Sequence, residues 1–424
     1  MKKILFFAAT AMLFAACTSD EANAPQATKT APQAIAFDTY TPAATRAGKV
    51  GVMTTTTLQD TEANKGGFGV FAVYSNDGTY AATLTPNFMY NQGVFYSASA
   101  WSYTPLKYWP NETGNDSQTS PATSTAKDYL SFFAYAPYVA DRTTDSEGIK
   151  ALSAKDAAGY PYVDYAVAAR PENSVDLLWG VAPSGGLSYT AVDGNDVTVA
   201  EGLPLKDLLK PSKDQKIKFL FKHALARIGF SVVGAFDQIT AGGEKDANTK
   251  VTVKEIEISG SDFGMSGTLS LNNTTAGVAN WTTINKQGNT DAIFTIKDDA
   301  LNTTIKDGGA VAYASQPEGV TAAEKNVFAD ATKYFMVIPT GETDITVKIT
   351  YYVQTLDGKL APSGSVDGSR VENVISKTIK VNLENNKAYN LKLILGLTSV
   401  KLDAEVADWQ VDGSAEVNLP RNNE

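Results

Sequence analysis

Ile345, Val347, Ile349, Tyr351 and Val353 occupy every second position of one stretch, with Lys348 and Thr350 between them. Residues two apart share a face of a strand and point to opposite sides of a helix, so this stretch can bury one face only as a β-strand. Ile379, Val381 and Leu383 repeat the pattern, and Leu391, Leu393 and Leu395 do so again. Shorter apolar runs at 68–74, 129–135, 162–168 and 175–181 each close on Gly, Pro, Asn or Asp, the punctuation of strands and turns. Long helical periodicity is absent. The expected fold is therefore all-β, with antiparallel sheets that place one face on a core and one in water. The 424 residues, 43% of them hydrophobic, are enough for two such β-sandwich domains in tandem. Their expected bounds are 47–210 and 211–424, with one short helix at 203–211 ended by Pro211. Val251–Val253 and Ile256–Ile258 alternate but slip phase at Lys254 and Glu255, which predicts a bulge there.

Charge and residue inventory narrow the function. Lys and Arg total 36 against 46 Asp and Glu, a net charge of −10, which is the wrong sign for a nucleic-acid partner. One histidine, His223, and one cysteine, Cys17, exclude His/Cys zinc clusters and disulfide frameworks. His223 lies between apolar segments, where a structural role is expected. No Gly-x-Ser-x-Gly elbow or phosphate loop occurs, and residues 193–196 (Asp-Gly-Asn-Asp) read as a turn rather than a calcium loop. Two carboxylates would suffice for glycoside hydrolysis, but none among the acidic residues stands out. The chain is expected to be neither an enzyme nor a holder of cofactor or metal.

At the start, Lys2 and Lys3 precede an apolar run at 4–16 that ends in Ala15-Ala16-Cys17. Residues 1–16 read as a signal peptide, since about 20 apolar residues are needed to span a bilayer as a helix. The small residues before Cys17 resemble a bacterial lipobox, so Cys17 is the expected lipidation site, tying the precursor to a membrane. Residues 18–32, rich in Ala, Thr, Gln and Pro, read as a tether. Ile35 and Phe37 then alternate with smaller residues as a short strand, and a loop containing Arg46 and Ala47 breaks the pattern. Trp101, Tyr103, Tyr108 and Trp109 lie close together in sequence. They could stack on sugar rings, form a protein contact, or fill the core of the first sandwich.

Several segments in order resemble the fimbrillin family, the type V pilins of anaerobic Gram-negative bacteria. They are the lipobox, 132–138 (Phe-Phe-Ala-Tyr-Ala-Pro-Tyr), 176–180 (Asp-Leu-Leu-Trp-Gly), 221–228 (Phe-Lys-His-Ala-Leu-Ala-Arg-Ile), 334–340 (Tyr-Phe-Met-Val-Ile-Pro-Thr), 389–391 (Tyr-Asn-Leu) and 406–409 (Val-Ala-Asp-Trp). The resemblance covers nearly the whole chain. It implies two transthyretin-like β-sandwiches, export to the outer membrane and cell surface as a lipoprotein, cleavage after an arginine, and self-assembly into fimbriae that support adhesion. Arg46 matches the family's processing site. Cleavage there would release residues 17–46, including the Ile35/Phe37 strand.

A sandwich that loses a strand keeps an apolar groove and a row of unpaired N–H and C=O groups, which is a site for another strand. The candidate donor lies near the chain's end, where Val400, Leu402, Ala404 and Val406 alternate and Trp409, Val417 and Leu419 follow. Those residues equally suit the last strands of the chain's own second domain. The expected function is thus a fimbrial subunit polymerised by strand exchange. The alternative is a surface lipoprotein or tip adhesin that binds a glycan or host protein.

Overall fold

The computed structural model describes residues 32–41, 52–60, 66–76, 78–110, 127–140, 146–234, 249–306, 312–313, 325–329, 334–355, 369–395 and 400–408. Strands dominate, as the alternation requires. The first sheet runs Phe37–Tyr40, Ile217–His223, Leu178–Val181, Asp128–Ala136, Phe68–Asn76, Met89–Ser97 and Ala100–Ser102, with Leu205–Leu208 paired to Asp128–Ala136. Both faces of its central strands are buried. Phe68, Val70, Ala72, Leu130, Phe132 and Ala134 enter one core, and Phe71, Val73, Phe133 and Tyr135 enter another. Double burial explains why these strands read as unbroken apolar runs instead of alternating, and it corrects the expectation of a wet face here.

Two further sheets carry the alternating segments. One runs Ala292–Lys297, Thr249–Ser259, Gly341–Thr355 and Ser369–Leu383, and the other Lys325–Asn326, Ala226–Gly234, Lys387–Leu395 and Val400–Asp408. Phe294 of the first stacks on Phe335, which belongs to the second, with ring centroids 3.9 Å apart. Ile345, Val347, Ile349 and Tyr351 are buried, while Lys348 and Lys380 lie outside and pair with Glu257 and Asp344. Thr350, expected outside, is buried as well. The register shifts between Val253 and Glu255, leaving Lys254 as the extra residue of the expected bulge.

Three expectations need correction. Residues 205–208 form a strand, not a helix: Leu205 and Leu208, three apart as on one face of a helix, are both buried in the same core because the register shifts between them and Asp207 adopts a positive φ of 56°. The sheets are not purely antiparallel, because Phe37–Tyr40 runs parallel to Ile217–His223 and Ala226–Gly234 parallel to Lys387–Leu395. Finally, a division at 210/211 does not follow the strands. Ile217–His223 belongs to the first sheet, and a four-stranded sheet joins Gly148–Leu152 and Tyr162–Ala166 to Gly264–Ser270 and Asn280–Lys286. One apolar cluster accordingly runs from Val52 to Leu395.

Candidate functional site

The segment around Ile35 and Phe37 bridges the two ends of the first sheet. On one side Phe37–Tyr40 pairs with Ile217–His223, and the Ile217 N–H donates to the Ala36 carbonyl at 2.8 Å. On the other side lies the chain that follows Ala100–Ser102. There the Ile35 N–H donates to the Lys107 carbonyl at 2.9 Å, and the Trp109 N–H donates to the Gln33 carbonyl at 3.1 Å. Backbone groups on both walls are thus satisfied by this N-terminal segment, hereafter the leader, and they would be left without partners if it were removed.

The inward side chains complete the seal. Ile35 and Phe37 are each 1% exposed, followed at alternate positions by buried Thr39 and Thr41. Phe37 lies edge-on to Phe68 and Phe132, stacks on Phe219, and sits 5.3 Å from the Tyr103 ring. Burying two such residues is worth about 1.5–3 kcal/mol each, and each net backbone hydrogen bond adds about 0.5–1.5 kcal/mol. The leader is therefore a firmly held plug whose sites are apolar at one end and small at the other.

The aromatic group of the sequence lines this slot. Tyr103 donates its hydroxyl to the Ile35 carbonyl at 2.8 Å and accepts the Lys107 N–H at 3.3 Å. Burial raises the pKa of that hydroxyl, which keeps it protonated as a donor. Trp109 is buried against Phe132, and Trp101 packs on Phe68 at 5.1 Å. Only Tyr108 of the four is largely exposed, at 47%. Beside the slot is an open cleft lined by Gln92, Phe95, Ser102, Tyr103 and Tyr138, in which Phe95 and Tyr138 meet edge to face at 5.1 Å.

The chain is anchored on both sides of residues 42–51, which include Arg46. Before them, the Thr41 N–H donates to Thr55 Oγ1 at 3.1 Å. After them, the Met53 N–H donates to Asp176 Oδ2 at 2.9 Å, and His223 Nδ1 lies 2.7 Å from the same oxygen. A carboxylate only accepts, so Nδ1 carries the proton in this buried pair. Thr54 then caps the one-turn helix Thr55–Leu58, accepting the Thr57 N–H while the Thr57 hydroxyl oxygen accepts the Thr54 N–H. Arg46 and Ala47 themselves, like Cys17, Trp409, Val417 and Leu419, lie outside the described residues.

Val400–Asp408 is folded back on its own chain, paired antiparallel with Lys387–Leu395 from Leu395↔Val400 to Lys387↔Asp408. Leu402, Ala404 and Val406 are half-buried against the large core. Sequence reasoning missed the second wall of the slot, Lys107–Trp109, and the rings of Phe132 and Phe219 that meet Phe37. Their apolar character was readable, but nothing in a strand pattern says which strand it will face.

No protein-family model matches the chain. It is 22% identical to the fimbrium subunit Fim1C of Phocaeicola vulgatus, over 99% of this chain and 100% of that one. The crystal structure of a fimbrial protein from Bacteroides vulgatus matches with a TM-score of 0.58 at 19% identity, covering 89% of this chain and 100% of that one. The likeness to fimbrial subunits read from the sequence thus extends along the whole chain, and the all-β fold is shared with a fimbrial protein.

Proposed function

We propose that this chain is a structural subunit of a cell-surface fimbria, exported as a precursor lipidated on Cys17 and released for assembly by cleavage after Arg46. The observation that carries the reading is the leader itself. Ile35 and Phe37 close the seam between Ile217–His223 and Lys107–Trp109, and Arg46 follows Phe37 by nine residues in the sequence. The full-length relationship to a fimbrium subunit supports it.

In the precursor the plug is part of the same chain, so its effective concentration at the slot exceeds that of any neighbour, and premature assembly is blocked. Cleavage converts it to a free peptide that dilutes away. The emptied slot then presents apolar sites and unpaired backbone groups to a strand of the next subunit. Such a contact is heterologous, does not close on itself, and generates a filament.

Limited trypsin treatment of the full-length protein should expose Ala47 as the new N-terminus and convert monomer into detergent-resistant ladders. Arg46→Ala should remain monomeric under the same treatment. Monomer that persists after cleavage at Arg46 would count against polymerisation.

The cleft formed by Gln92, Phe95, Ser102 and Tyr138 supports a second reading, a tip subunit that holds a sugar between an aromatic ring and polar groups. Trp101 and Trp109 are committed to the slot, so in that reading Phe95→Ala, and not a tryptophan change, abolishes retention on a glycan column.

A further inference from the structure

The cleft beside the slot has a fixed aromatic wall. Phe95 is 42% exposed, yet backbone holds its ring from beneath. A Cβ at Gly67 would fall 2.6 Å from Phe95 Cδ1, and one at Gly93 would fall 2.8 Å from Phe95 Cε2 and 2.9 Å from Tyr138 Cζ. Phe95 and Tyr138 meet at 87°, and the Tyr138 N–H donates to the Gly67 carbonyl at 3.2 Å. Only glycine lets backbone approach the rings this closely, so the wall keeps its shape while much of Phe95 stays open to solvent.

The facing wall is polar and uncharged. Gln92 spends both Nε2 hydrogens on the carbonyls of Gly93 and Thr104, at 3.2 Å each, and keeps Oε1 as an acceptor. Ser102 and Thr104 beside it are exposed. The cleft encloses about 410 Å³, in the range of small-molecule sites, and among the described residues no charged side chain lines it. A charged ligand would therefore give up hydration without meeting a counter-charge. A neutral ring with an apolar C–H face and hydroxyls around its rim suits both walls, and a pyranose sugar is such a ring.

Tyr103 belongs to the cleft and to the slot at once. Its ring lines the cleft and lies 5.3 Å from the ring of Phe37, while its hydroxyl donates to the Ile35 carbonyl at 2.8 Å. The contacts of that hydroxyl with the Lys107 backbone are longer, at 3.3 and 3.4 Å, and Lys107 is itself held by the Ile35 N–H. Both supports of the Tyr103 hydroxyl thus involve the leader. The next peptide carries the Thr104 carbonyl that Gln92 grips, so a displaced Tyr103 disturbs the polar wall as well.

We propose that the cleft binds a neutral sugar ring and that its affinity is coupled, through Tyr103, to occupancy of the slot. The ligand class rests on the second reading above; the coupling rests on the contacts of Tyr103. With the leader in place Tyr103 is pinned and the cleft is complete. With the slot empty the ring loses Ile35 and Phe37, and part of the binding free energy is consumed in ordering it again. Coupling between two sites is reciprocal, so a bound sugar also steadies the leader.

Methyl glycosides of glucose, galactose, mannose, fucose and N-acetylglucosamine, titrated against the uncut full chain and followed by saturation-transfer and chemical-shift NMR, test both parts. At least one glycoside should bind, and Phe95→Ala should abolish its binding. Phe37→Ala, a change outside the cleft, should weaken that glycoside by about fivefold or more. Tyr103→Phe, which keeps the ring and deletes the bond to Ile35, should weaken it too. The double variant should lose less than the product of the two, because both act through one ring. Val347→Ala, a core change in another sheet, should leave the affinity unchanged. No binding by the parent, or binding that survives Phe95→Ala, overturns the sugar site. Binding that Phe95→Ala removes, but that Phe37→Ala and Tyr103→Phe leave intact or Val347→Ala weakens equally, overturns the coupling and leaves the sugar site standing.

Discussion

The ring of Phe37 lies 20° from coplanar with that of Phe219, their centroids 6.2 Å apart, across the parallel pairing of the leader with Ile217–His223. A residue upstream of the proposed cleavage point is thus a core residue of the precursor. Under the proposed processing its loss would remove core material and leave an apolar slot to be refilled.

Phe37→Ala should lower the stability of the full-length chain by about 3–5 kcal/mol, the usual cost of emptying a buried aromatic site. Denaturant titration of the precursor measures it. The chain cut after Arg46 lacks residue 37, so the same titration on cleaved protein should give identical midpoints for variant and parent. A difference there would mean that the leader stays bound after cleavage.

Gly180 provides the space that Phe219 occupies. A Cβ at position 180 would stand 2.8 Å from Phe219 Cδ1 and 3.0 Å from Ala134 Cβ. Gly180→Ala should displace the Phe219 ring towards the slot, destabilise the precursor by about 1–3 kcal/mol, and loosen the leader. Faster hydrogen exchange at the Ile35 and Ile217 amides than in the parent would report the loosening.

Asp176 holds two donors through one oxygen, the Met53 N–H and the His223 ring. Asp176→Ala leaves both buried without that acceptor, at roughly 1–3 kcal/mol each. Thermal unfolding should show the loss, and protease access to the chain just before Met53 should rise. His223→Ala removes only one of the two donors and should cost less. Equal losses for the two variants would argue that the Met53 contact is immaterial.

Alkali should unfold the protein through its buried phenols. Burial raises the pKa of Tyr389 from the ordinary 10.0 to about 12, and raises those of Tyr80, Tyr135, Tyr165 and Tyr189 further still. Above pH 10 the unfolded state ionises these groups while the folded state does not. Stability is therefore intact below the ordinary value and falls as pH rises through the folded one, by about 1.4 kcal/mol per pH unit for each such tyrosine. Denaturant midpoints should drop steeply between about pH 10 and 12, and Tyr165→Phe should make that slope shallower.

Legibility in the sequence followed the environment of each strand. Ile345 to Tyr351 announced themselves because one side of that strand meets water, so polar and apolar residues must alternate. Phe68–Asn76 and Asp128–Ala136 are covered on both faces and carry no such alternation, which hid the two-sided packing of the first sheet. Leu205 and Leu208 read as helical because residues three apart share a helix face, and only the irregular register between them brings both to one core in a strand. Trp101, Tyr103 and Trp109 were visible as a cluster, but whether they served a ligand, a partner or a core depended on what the rest of the chain brought to them.

The sequence by itself determined that the chain is β, where its clear alternations lie, and that Ile35 and Phe37 point the same way, because side-chain direction along a strand is a local property of period two. Tertiary structure alone decided that these two residues plug a seam between Ile217–His223 and Lys107–Trp109, and that the leader runs parallel to the first of these. Strand pairing joins backbone groups distant in sequence, and an apolar pattern marks the face to be buried without naming the surface that will cover it.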